Sequence, residues 1–85
     1  MRKHYEKIIR DNDNRVKKAL RIQMMDEGSP YYGGCPEETG LMDAKYTVYR
    51  IYDMAGAYSN SGSLYYRDGG LAERTVLALG YVERL

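Results

Sequence analysis

Residues 27–40 read EGSPYYGGCPEETG, with two prolines and four glycines in fourteen positions. No helix or strand runs through such a stretch, because proline removes donors and glycine costs backbone entropy. The chain is therefore divided into an N-terminal piece and a C-terminal piece joined by a loop. Both pieces carry apolar residues at three- and four-residue steps, the period of a helix packed on one side. This division is the strongest constraint on the fold. It predicts an all-α chain in which the first two helices lie antiparallel across the SPYYGG turn.

The first helix is expected over about residues 3–26. Tyr5, Ile8, Ile9, Val16, Ala19, Leu20 and Gln23 form its stripe, interrupted at Asn12. Lys3, Lys7, Arg10, Lys17, Lys18 and Arg21 cover its other sides. Gly28 and Pro30 follow as stop signals. A second helix is expected over about 41–58. One apolar face holds Leu41, Ala44, Val48, Ile51, Tyr52, Ala55 and Tyr58, and another holds Met42, Tyr46, Tyr49 and Gly56. A helix with two apolar faces is normally covered on two sides. SNSGS at 59–63 is a polar turn. Asp68 is placed to N-cap a third helix over about 69–85. Its stripe runs Leu71, Ala72, Thr75, Val76, Ala78, Leu79, Val82 and Leu85, without a closing glycine or proline. The second helix's two faces and this open stripe predict self-association, or packing against the rest of a larger helical protein.

Composition adds what the core is made of. Leu, Ile and Val number fifteen of 85 residues, Phe and Trp are absent, and Tyr reaches ten. Tyrosine is thus the expected large packing residue, with many hydroxyls wanting partners. A compact monomer of 9.8 kDa exposes roughly 5,200 Å². The chain is expected to fold as a single domain over residues 1–85, or as the first part of a larger one.

Charge excludes several functions. Lys and Arg total 13 and Asp and Glu 12, a net charge of +1. Nothing in that balance draws the chain to nucleic acid or an anionic membrane. The signs are unevenly spread: residues 1–25 carry +5, residues 26–45 carry −4, and the remainder balances. No apolar run is long enough for a transmembrane helix, and the start MRKHYEKIIRDNDNR lacks the apolar core of a signal peptide. With Cys35 the single cysteine, the default compartment is the cytoplasm.

Chemistry-bearing residues are few. His4 is the single histidine and reads as a surface residue in a terminal turn. Cys35 lacks a partner cysteine or a neighbouring base and reads as a free loop thiol. Asp11-Asn12-Asp13-Asn14 imitates the start of a calcium loop, but Val16 and Ile22 stand where glycine and glutamate are needed. These residues read as a solvated helix face. Gly33-Gly34 and Gly69-Gly70 lack phosphate-loop spacing. Glu37, Glu38, Asp43, Asp53 and Asp68 could supply a glycosidase pair, yet capping and solvation account for them. No metal site, cofactor or catalytic residue is assigned. Two doublets, Tyr31-Tyr32 and Tyr65-Tyr66, fall in loops beside helix ends. They are candidates for contact with a sugar or a protein partner, or for plugging the ends of the helical layer.

Three stretches carry a resemblance in order and spacing: SPYYGG (29–34), AKYTVYRIYDMAGAYSNSGSLYYRD (44–68) and LAERTVLALGYVERL (71–85). Together they resemble the N-terminal part of bacterial heparinase II/III-like proteins, carbohydrate-active proteins with an (α/α) toroid domain, typically polysaccharide lyases. The resemblance implies an N-terminal helical scaffold segment, with Tyr31, Tyr32, Tyr65 and Tyr66 near a carbohydrate cleft. It implies no catalytic residue here, because that family's catalytic set lies further along the chain. The alternative is a self-contained small helical module, of phage or accessory type, that binds another protein through a Tyr-rich surface.

Overall fold

The computed structural model describes residues 2–85 and contains three helices: α1 (Arg2–Ile22), α2 (Ala44–Ser59) and α3 (Gly69–Glu83). The described residues form no strand, so the all-α expectation is met. α2 packs against both of its neighbours. Asn12 and Arg15 of α1 meet Asp53 of α2, and Ile9 lies by Gly62 beyond the end of α2. Contacts thus climb α1 while descending α2, and the first two helices are antiparallel.

Each helix ends differently from its expected limit, for a local reason. α1 was expected to reach residue 26 but stops at Ile22. The N–H of Met24 donates to the Gly34 carbonyl instead of continuing the helix, and the Gly33 N–H returns to the Met24 carbonyl. α2 begins at Ala44, not residue 41, because Asp43 is its N-cap and accepts from the Lys45 N–H. Leu41 and Met42 lie in irregular chain just after the turn in which the Gly40 N–H donates to the Glu37 carbonyl and Gly40 has φ 89°. α3 starts where expected, with the Asp68 carboxylate accepting from the Leu71 N–H at 3.1 Å. It stops at Glu83, short of residue 85.

The core is Val16 and Ala19 from α1, Cys35 from the loop, Met54 and Ala57 from α2, and Leu71 and Ala78 from α3. Leu20, Ile51 and Tyr65 pack against it. Alanines and a cysteine at the centre let the helix backbones approach closely. Tyrosine does not fill the core as its abundance predicted. Tyr81 is buried, whereas Tyr5, Tyr31, Tyr49, Tyr52, Tyr58 and Tyr66 are exposed.

The buried seam of α2 also corrects the expected one. It follows Thr47, Met54 and Ala57, which neither predicted face included. Tyr52 and Tyr58 point outward. α1 and α3 both pack against the middle helix, yet Leu41, Tyr49, Tyr52 and Tyr58 of the two predicted faces stay exposed.

The loop between α1 and α2 is seated on α3. Gly33 has φ 90°, and a β-carbon there would stand 2.1 Å from the Leu77 carbonyl oxygen. Glycine is required twice over, by its backbone conformation and by the closeness of another backbone. The Arg84 guanidinium donates to the Tyr32 carbonyl, fastening the same loop to the end of α3.

Candidate functional site

Three polar clusters reach across the helices, and each is occupied with holding the fold. Asp13 was expected on a solvated face and is instead buried. Its carboxylate accepts from the Ser63 hydroxyl and, at 2.9 Å, from the Leu64 N–H. It ties the middle of α1 to the turn between α2 and α3. Gln23 donates through its side-chain amide to the carbonyls of Gly33 and Arg74. Arg74 donates in return to the Leu20 carbonyl and to Gln23 Oε1. The last turn of α1 is thereby capped by a side chain of α3. Asp53 accepts from Arg15 and lies 3.3 Å from the Arg50 guanidinium, which stacks over the Tyr46 ring at 4.7 Å.

Four of the five carboxylates considered for a glycosidase pair have a structural partner. Asp43 and Asp68 cap helices, Asp53 pairs with Arg15 and Arg50, and Glu38 pairs with Lys18. The Lys18 ammonium donates to Glu38 and holds its carboxyl below the usual range. Glu37 and Glu38 line one open groove with Lys18, Ile22 and Pro36; Asp43, Asp53 and Asp68 lie elsewhere, each on its own structural partner.

Cys35 is a free thiol in the loop, as expected. It is fully buried, and its backbone N–H donates to the Thr47 hydroxyl, which donates back to the Cys35 carbonyl. Burial pushes its thiol up to about 11, against a smaller opposing pull from Arg50 and Arg74. A protonated, enclosed thiol is not a nucleophile at neutral pH. His4 lies exposed in the first turns of α1. No group of three or more His, Cys, Asp or Glu among the described residues is arranged to hold a metal. None of the described helices is long and apolar enough to cross a membrane.

One tyrosine of each doublet, Tyr32 and Tyr65, lines a groove, and the two grooves are separate. Tyr32 is half-buried and, with Ala72, Glu73, Val76 and Leu77, walls a shallow apolar groove of about 530 Å³ along α3. Tyr65 packs on the core beside Leu20 and Leu71. Tyr31 and Tyr66 project into solvent, and the Arg67 guanidinium lies over the Tyr66 ring. Of the four, Tyr32 has the surroundings of a binding residue. On the same outer side of α3, Val76 is 65% and Leu79 43% exposed. These two belonged to the predicted apolar stripe of the third helix. The wide stripe implied that some apolar side would stay uncovered, but not which one, because α3 is apolar on more sides than two neighbours can cover.

No protein-family model, curated protein or solved structure matches this chain.

Proposed function

We propose that this chain is a small helical protein-interaction module, and that the outer side of α3 with Tyr32 is its binding surface. One observation carries the reading: an apolar groove walled by Tyr32 and the exposed Val76, with Leu79 exposed three residues further along the same helix. Aromatic and aliphatic anchors around a shallow groove suit a helix laid across it. The buried polar clusters support the reading too, since they fix the helices and leave this surface preformed. The heparinase-like scaffold reading draws on the same residues. In that reading the α3 surface is covered by later helices of a toroid, and the tyrosines border a sugar cleft.

A photo-crosslinker placed at Val76 in the source cell tests the proposal. Capture of one distinct protein from Val76, absent from a control position at Lys17 and lost when Leu79→Glu is added, is the expected result. A crosslink confined to a longer version of the same polypeptide favours the scaffold reading. Equal capture from both positions sinks the binding surface.

A further inference from the structure

α1 carries most of its cations in one row. Lys3, Lys7, Arg10, Asn14, Lys17 and Arg21 follow one another at steps of four and three residues. At about 100° per residue, all six fall within about 40° of one line down the helix. That line runs about 27 Å, and all six residues are exposed. It lies opposite the seam that buries Val16 and Ala19, so the rest of the fold leaves it open.

The row is charged in fact and not only in sequence. Lys7 pairs with Asp11, and Lys18, beside the row, pairs with Glu38. Lys3, Arg10, Lys17 and Arg21 form no ion pair among the described residues. Glu6, on the flank, is likewise unpaired among them. Four uncompensated cations thus stand against one carboxylate. The net charge of +1 averages this row against acidic residues elsewhere, and so the total balance did not point to a polyanion.

The form of the row selects among polyanions. A bilayer is met by a basic face with apolar side chains beside it, but the exposed Tyr5 and Ile8 lie on the other side of α1. Single-stranded nucleic acid needs aromatic platforms for its bases, and the row has none. Duplex RNA has a major groove too narrow for side chains to read. The major groove of B-DNA is about 12 Å wide and admits a helix of about 10–12 Å diameter. DNA carries a charge per ~1.7 Å of axis, so evenly stepped cations find a phosphate at each step. An acidic protein surface offers no such repeat. Asn14, in mid-row, brings a side-chain amide that can bond a phosphate or a base edge.

We infer that the outer face of α1 binds double-stranded DNA along the major groove, with Lys3, Arg10, Lys17 and Arg21 on phosphates. The α3 groove takes no part in it.

Fluorescence anisotropy of the full chain with a labelled mixed-sequence duplex of about 20 base pairs tests this. The expected dissociation constant is about 1–100 µM near physiological salt. Four phosphate contacts predict a slope of about −3.6 for log K against log salt, roughly a hundredfold loss between about 50 and 200 mM. Lys17→Ala should flatten that slope by about one. Arg10→Glu combined with Lys17→Glu should weaken binding at least about tenfold, with circular dichroism unchanged because both residues are exposed. Lys45→Glu, exposed on α2, should leave the affinity within about twofold. The proposal is overturned by no binding up to about 1 mM at low salt, by a slope unmoved by Lys17→Ala, or by an equal loss from Lys45→Glu. Tighter binding to the single strand or to duplex RNA of the same sequence refutes the major-groove placement. Equal binding to poly-glutamate reduces the row to ion exchange and overturns the DNA reading. Flotation with anionic vesicles without affinity for the duplex gives the row to lipid and ends it.

Discussion

Asp13 shows how much one side chain decides here. A carboxylate on a charged helix reads as solvated, and nothing in the local sequence says otherwise. Its burial depends on Ser63 and Leu64, some fifty residues away, a pairing that periodicity cannot reveal. Replacing it with alanine leaves a buried hydroxyl and a backbone N–H without an acceptor. Asp13→Ala is expected to cost about 2–3 kcal/mol in urea unfolding, and a loss under 0.5 kcal/mol would deny the clamp. Cys35 gives a prediction in pH. Its folded thiol titrates at about 11 against a reference of 9.0. The unfolded chain therefore loses this proton first, and stability falls as pH rises from 9 towards 11. Below pH 9 the thiol contributes no slope. The drop is on the order of 2 kcal/mol, and Cys35→Ala should remove that part of the alkaline slope. Thiol reagents should label Cys35 at the rate of unfolding.

At the scale of elements, the existence of the helices was legible and their ends and buried seams less so. Three- and four-residue spacing marks a helix wherever the apolar stripe is clean. It failed on α2 because the true seam runs through Thr47 and Ala57, a polar and a small residue, while bulky Tyr52 and Tyr58 face out. Met54 is fully buried in that seam, and Tyr52 is 72% exposed outside it. Met54→Ala should therefore cost about 2–5 kcal/mol, and Tyr52→Ala should stay within about 0.5 kcal/mol, a contrast measurable by thermal melting. The end of α1 was illegible because the loop, not the helix, sets it: Met24 bonds to Gly34. That pairing depends on Gly33 lying against Leu77. Gly33→Ala must move the loop or α3 and should cost about 3 kcal/mol or more. The candidate surface was half legible. Val76 and Leu79 were visible as apolar, but only the packing of α2 and the loop determines which side of α3 stays bare.

The whole molecule is held by contacts distant in sequence. Asp13 meets Ser63, Gln23 and Arg74 meet each other, and Tyr32 meets Arg84. Each joins an early residue to one about fifty positions later. Helix α1 can form within microseconds of leaving the ribosome, but its capping arginine is then still unsynthesised. At about 5–20 residues per second, fifty residues take roughly 3–10 s. For that interval Val16 and Ala19 have no α3 to complete their cover, and the end of α1 has no guanidinium to close it. The nascent chain thus passes through a period, long on the molecular clock, in which its apolar helix is open to chaperones and to neighbouring nascent chains on the same message.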